Sequence, residues 1–526
     1  MLPQPTHVYD LLIVGGGLGG MMCGHAGVTL FNMTVLVVEQ GNICAQGASA
    51  AAKQGHVFVP HGMMATNEAD LPLSKRFRVA SHRIYREMVD AGHDIGLLEL
   101  GNANIVAEES VILKVQFWLA YQISRLLSTL TPRLQTRDEL RARHSLNGHG
   151  ALWNEGSAMV TPCKVVEAAR GIIERRGGHV RERVTITSMG HDGARYNVAF
   201  ADGTRTLSRA VVVAAGTWHN SFVASHLTAC AARVPHVGAV AGQIAIYDVP
   251  DRPPSPGVFS YSARSVLPAM LPMFGPYLQA SRLRGCPWIP AYFLTQTCAE
   301  VSDEPIAEYL YSRHWGSRMS TGGRREPISD TSRCHGPTYS APGVPYRRDH
   351  EAWAWARAAS IWGIEDADAV KVEGYTACFP VTTDGRVHAE RIACDDTFPN
   401  LFMLNGLAGG GIARGPGAGE HVARLVAEAL GMGNGPSPEP ARRLITPLAV
   451  SLVALAAVTG CWLQCASLSR GCSLGPRVGA HPTKELAIRR GRCEAMFARL
   501  MRRCALCVLV TIVLAVPVVV AASVLF

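Results

Sequence analysis

A short apolar run, Val8 to Val14, opens the patterned part of the chain and predicts a buried strand. Five glycines follow at Gly15, Gly16, Gly17, Gly19 and Gly20, and a helix is expected from about Leu18 to Leu30. A second apolar strand, Thr34 to Val38, ends at Glu39. Further along, Met159-Val160-Thr161-Pro162 starts a helix to about Arg176, and Gly178 to Val184 reads as a strand. Asp202-Gly203-Thr204 makes a turn before the strand Ala210 to Trp218. Phe398 to Met403 is a last strand, followed by glycines at 406 and 409–411 and an amphipathic helix to about Leu430. Strands alternating with helices predict an α/β chain. Between them, residues 241–365 are rich in proline and glycine, and Gly242 to Tyr247 fits a strand. Val111 to Leu130 is nearly all apolar, but Lys114, Gln116, Gln122 and Arg125 interrupt it. A packed or surface-lying helix is expected there rather than a membrane span.

The opening pattern carries chemistry. Gly15, Gly17 and Gly20 satisfy GxGxxG: the first allows a tight turn, the second lets a pyrophosphate approach the backbone, and the third lets the helix pack on the sheet. Glu39 lies nineteen residues past Gly20, where a carboxylate accepts from ribose hydroxyls. Strand, glycines, helix, strand and acid within about thirty residues predict dinucleotide binding. Residues Gln46 to Val57 then form a small-residue loop with Ser49, Lys53 and Gln54.

From this loop on, the chain resembles the FAD-dependent oxidoreductases of the D-amino acid oxidase, glycine oxidase and sarcosine oxidase type. Gly47-Ala48-Ser49 is similar to the segment that in this family runs past the pyrophosphate and flavin. Ala210 to Trp218 resembles the strand that closes the FAD domain, and Gly406 to Ile412 with Pro416 and Gly419 resembles the loop and helix facing the flavin. The resemblance implies FAD as cofactor and a Rossmann-like FAD-binding domain with an α+β antiparallel-sheet substrate domain. It implies that Gly15, Gly17, Gly20, Glu39, Ser49, Lys53, Val184, Gly216, Gly410, Gly411 and Ile412 bind the cofactor, Val184 at the adenine. The expected chemistry is hydride transfer to flavin N5 from a C–N or C–OH bond of a small substrate. Oxygen or a membrane acceptor would take the electrons.

The pattern departs from the family at Phe379, in a stretch resembling its carboxylate-binding element. A phenyl ring cannot pair a carboxylate as an arginine does. Cys378 beside it reads as a buried structural cysteine rather than a flavin attachment. Lys53 and Arg414 are the catalytic candidates, while His56 and His61 read as structural. Tyr339, Tyr346, Arg324 and Arg325 fall in the middle region without an assigned role. No metal site and no Ser-His-Asp spacing is expected.

Composition changes the picture mainly at the tail. The formal charge is +9, yet residues 442–503 hold eleven basic residues and two acids, and the first 441 residues balance. That neutrality argues against nucleic acid as partner. Residues 444–468 and 504–526 carry no charge and are long enough to span a bilayer. The expected organisation is a first FAD-binding part (8–240), a substrate domain (241–365), a returning FAD-binding segment (366–430) and a linker (431–443). A transmembrane or interfacial helix (444–468), a basic loop (469–503) and a transmembrane helix (504–526) follow. A lipid bilayer is thus an expected partner, with the catalytic part facing the cytosol. Fifteen scattered cysteines predict a reducing compartment rather than a disulfide scaffold. Two alternatives stand beside the membrane-anchored oxidoreductase: a flavin-binding membrane protein with little turnover, and a flavoenzyme of tRNA modification.

Overall fold

The computed structural model describes residues 7–52, 55–57, 73–106, 133–252, 257–261, 307–328, 330–338, 340–382, 386–392, 394 and 397–432. The chain divides into a compact unit, Met1–Glu439, and a second, Pro440–Phe526. The expected tail segments and the apolar run Val111 to Leu130 lie outside the described residues. Among the described residues, no helix is long and apolar enough to cross a membrane.

The opening strand Val8–Val14 sits inside an eight-stranded mixed sheet. Val35–Val38 pairs with it in parallel on one side and Arg205–Val213 on the other. His179–Arg181 extends the sheet beyond Val35–Val38, and Leu401–Asn405 extends it beyond Arg205–Val213, both in parallel. His388–Arg391 closes that edge in antiparallel, and the strands Tyr196–Phe200 and Ile186–His191 attach beside Arg205–Val213. Both faces of the opening strand are covered, which explains its unbroken apolar run. Leu11 and Ile13 join the helices on one face, whereas Leu12 and Val14 pack with Tyr196 and Val198 on the other. Leu11, Leu12 and Ile13 are wholly buried, each contributing roughly 1.5–3 kcal/mol.

The helix Leu18–Leu30 lies over the first face between Pro162–Arg175 and the returning helix Gly411–Ala429. Asp10 fixes the far end of the sheet. Its carboxylate accepts from the amide and hydroxyl of Thr34 at 2.9 and 2.8 Å, and from Arg209 at 2.9 Å.

A second sheet has seven strands in the order Val370–Thr382, Val237–Arg252, Ala307–Ile328, Gly257–Tyr261, Asn102–Val106, Ala151–Asn154 and Arg133–Gln135. Its pairings are antiparallel except that of Gly257–Tyr261 with Asn102–Val106. The sheet is therefore not confined to residues 241–365: three strands come from the first 160 residues and one from the returning segment. The helix Arg348–Trp362 packs on it, and Trp362 Nε1 donates to Ser312 Oγ at 2.9 Å in the buried interior.

Among the described residues, six cysteines are joined in three disulfides, Cys44–Cys163, Cys230–Cys394 and Cys334–Cys378. This departs from the expectation that the scattered cysteines form no disulfide scaffold. The partners are 119, 164 and 44 residues apart, so no local spacing announces them. Cys378 is buried, as expected, with Cys334 as its partner.

Candidate FAD and substrate site

The turn after the opening strand is built from glycines because its backbone leaves no room for side chains. Gly15 has φ +117, and a Cβ there would strike the Ala214 carbonyl. A Cβ on Gly20 would strike the carbonyl of Gly15. The helix can therefore start close against the strand, with its first amides at the cavity.

Glu39 holds this turn together. Its carboxylate accepts from the Gly16 amide at 2.7 Å and from the Gly41 amide at 2.8 Å. Each carboxylate oxygen keeps a further lone pair for a ribose hydroxyl. Ser49 lies in the short helix Gly47–Ala51, and its Oγ accepts from the Leu18 amide at 3.0 Å. Its hydroxyl thus supports the glycine turn as well as facing the cavity. The loop between them is pinned from behind: the Ile43 amide donates to Glu182 at 2.8 Å, and Arg170 holds the other oxygen of that carboxylate at 3.0 Å.

These elements enclose a cavity of about 540 Å³. Gly15, Gly17, Gly20, Glu39, Ser49, Val184, Gly216, Gly411 and Ile412 all line it. Residues as far apart in sequence as Gly15 and Ile412 thus meet at one place, because the parallel strands of the first sheet end there. Gly410 is not among the lining residues, and Lys53 lies outside the described residues. Arg414 does not line the cavity either; its Nη2 donates to the Leu407 carbonyl at 2.7 Å, which braces the last glycine loop. His56 has a described backbone only, and His61, Tyr339 and the side chains of Arg324 and Arg325 are outside the described residues. Tyr346 is half-buried, and burial with Glu351 nearby raises its hydroxyl pKa above the usual phenol range.

The structure adds residues that the sequence reading did not single out. Trp218 lines the cavity and stacks on His335, ring centroids 4.7 Å apart. Buried Asn405 donates to the Gly216 carbonyl at 3.0 Å and accepts from the Gly406 amide at 2.8 Å, shaping the floor. Asn405 ends the observed strand Leu401–Asn405, two residues past the predicted end at Met403, so the available signal was its polarity after an apolar run. From the second sheet, Gly242, Gln243, Ile244 and Ala377 complete the wall, beside Phe379, which the sequence had already marked as the departure from the family. The side chain of Gln243 is engaged with the backbone of Arg347, donating at 2.6 Å and accepting at 2.8 Å. Among the described lining residues there is no lysine or arginine.

The family described as FAD dependent oxidoreductase (DAO) matches residues 10–425. The chain belongs to this family. Its fold is similar to that of glycine oxidase from Geobacillus kaustophilus, with a TM-score of 0.57 and 20% identity over 84% of this chain and 100% of the other. It is also similar to L-proline dehydrogenase from P. horikoshii, with a TM-score of 0.56 and 15% identity over 81% and 94% of the two chains. The L-α-glycerophosphate oxidase of Mycoplasma pneumoniae, solved with FAD bound, gives a TM-score of 0.55 and 13% identity over 80% and 95%. No curated protein matches the sequence significantly.

The residues present fit the family's cofactor. The cavity is of cofactor size, and two helix N-termini, at Leu18 and Gly411, open onto it. One suits a pyrophosphate and the other an anionic ring edge. Gly216 has φ +55, and a Cβ there would meet nothing within 4 Å, so this wall is open to a bulky group. The protein is an FAD-dependent oxidoreductase, and FAD when bound supplies a two-electron acceptor.

Proposed function

We propose that this enzyme oxidises a C–N or C–OH bond of a small substrate and that its tail anchors it to a membrane. The observation that carries the catalytic part is the continuity of the cavity. One space runs from Glu39 and the glycine turn to Ile244, Ala377 and Phe379 on the second sheet. A substrate against that sheet lies beside the cofactor, where these side chains orient it and exclude water. Neighbours named for glycine, L-proline and L-α-glycerophosphate define the screen: small amines, amino acids and alcohols. Anaerobic addition of each to the purified holoenzyme should bleach the flavin absorbance near about 450 nm for one class. A yellow protein that no member bleaches would instead support a flavin-binding role with little turnover, a reading motivated by Phe379.

Support for the anchor is the uncharged runs 444–468 and 504–526 on either side of a basic stretch. The full chain should resist carbonate extraction from membranes, and a chain ending at residue 440 should not. A cytosolic catalytic unit, as the sequence reading expects, would hold its three disulfides in a reducing compartment, so the side of the membrane is itself under test. A glycosylation acceptor placed between residues 470 and 500 tests the topology, since its modification would exclude a single span from 504.

A further inference from the structure

Three disulfides cross the catalytic unit, but they differ in exposure and in what they hold. Cys230 and Cys394 are 0% and 2% exposed, and Cys334 and Cys378 are 6% and 4%. Cys163 alone among the six is only partly buried. Thiol exchange needs an attackable sulfur, so access singles out Cys44–Cys163. Cys163 is also the second residue of the helix Pro162–Arg175, whose N-cap Thr161 makes no side-chain capping bond. A helix N-terminus stabilises a thiolate, and stabilising the reduced form makes a pair easier to reduce.

The other half of the pair sits on the cofactor loop. Cys44 lines the cavity, five residues beyond Glu39 and five before Ser49. It has φ +49, a left-handed conformation that a non-glycine residue adopts only when its surroundings impose it. Opening the bond removes the covalent part of that constraint. The non-covalent ties that remain include the Ile43–Glu182 bond, the Arg183 amide on the Gly41 carbonyl at 2.8 Å, the Arg183–Asn42 contact at 2.9 Å, Gln46 on the Pro337 carbonyl at 3.2 Å, and the Cys163 sulfur 3.3 Å from the Cys44 carbonyl.

We infer that Cys44–Cys163 is a redox-sensitive latch on the loop that retains FAD. A low-molecular-weight thiol is the reductant. Its thiolate attacks the Cys163 sulfur, the S–S bond breaks, and Cys44 leaves as a thiolate that takes a proton. A second reductant thiolate then displaces Cys163 from the mixed disulfide. Two reductant thiols become one disulfide, and the protein gains two electrons and two protons. The freed loop lets Cys44 leave its left-handed conformation, and the wall between Glu39 and Ser49 loosens.

This inference rests on FAD binding and not on the substrate reading, so its test measures retention rather than turnover. The full-length holoprotein is titrated with dithiothreitol while iodoacetamide labelling, read by mass spectrometry, reports each cysteine. Flavin fluorescence in the ultrafiltrate reports release. Cys44 and Cys163 should be labelled before the other four, with FAD dissociating about tenfold faster, and reoxidation should restore retention. A Cys44→Ser/Cys163→Ser protein should release FAD at the faster rate with or without reductant. Labelling of the pair without faster release overturns the latch. So does a pair that resists reduction until the far-ultraviolet circular dichroism is lost. Where the double variant does not fold, the wild-type titration decides by the same two criteria.

Discussion

The hydroxyl of Tyr375 donates to the main-chain carbonyl of Ala51 at 2.7 Å, across 324 residues of sequence. Tyr375 stands on the edge strand of the second sheet, and Ala51 ends the short helix that carries Ser49. The bond ties the substrate wall directly to the cofactor loop. Around it Ala51, Ile246, Tyr375 and Ala377 form a small buried cluster. Tyr375→Phe keeps the ring and removes the donor, leaving a buried carbonyl unsatisfied. It should lower stability by about 1 kcal/mol, read as a shifted denaturant midpoint. An unchanged midpoint would show that the two walls are joined by packing alone.

Glu39 is the group on which the glycine turn depends. Glu39→Ala leaves the Gly16 and Gly41 amides without their acceptor and removes the ribose partner. FAD affinity should fall at least about tenfold, measured by titrating apoprotein and following flavin fluorescence. Equal affinity in the variant would remove Glu39 from the binding set.

Acid should destabilise the unit well above the carboxylate range. His219 is 1% exposed, and burial, reinforced by nearby His236 and His388 against a backbone contact at Pro235, pushes its pKa down to about 4. The unfolded chain therefore binds a proton there between about pH 6.5 and 4 that the folded chain does not. Stability from this group is complete above pH 6.5 and is lost as pH falls toward 4. At most about 3 kcal/mol is involved. His219→Phe should flatten the stability slope across that window, and a slope equal to the wild type's would assign it elsewhere.

Removing the inaccessible disulfide should act on folding rather than on cofactor exchange. Cys230–Cys394 closes a loop of 164 residues between the closing and returning parts of the nucleotide fold. A double alanine variant should lose roughly 2–5 kcal/mol in chemical denaturation. Reductant under native conditions should leave this pair unlabelled.

Legibility in the sequence followed distance along the chain. The strand, glycines, helix and Glu39 lie within about thirty residues, where each spacing has a local mechanical reason. The strand ends brought the other lining residues, from Val184 to Ile412, to the same place. What stayed hidden depended on remote partners. Asn102–Val106, Arg133–Gln135 and Ala151–Asn154 are too short to announce a sheet whose other strands begin only at Val237. Ser49 read as a cofactor contact, yet its hydroxyl also accepts from Leu18, which only the folded turn reveals. The three disulfides were illegible for the same reason. Arg414 looked like a free cation after a glycine loop, but folding turns it back onto Leu407.

The place of Leu401–Asn405 in the first sheet has a consequence for biosynthesis. This strand pairs with Arg205–Val213, laid down nearly two hundred residues earlier, and the helix that follows brings Gly411 and Ile412 to the cavity. A ribosome must therefore deliver almost the whole catalytic unit before the nucleotide sheet can close. Until then the nascent chain carries an open sheet edge and a half-built cavity, a hazard for aggregation. Cofactor capture is correspondingly a late event, and nascent chains arrested before residue 400 should emerge without flavin.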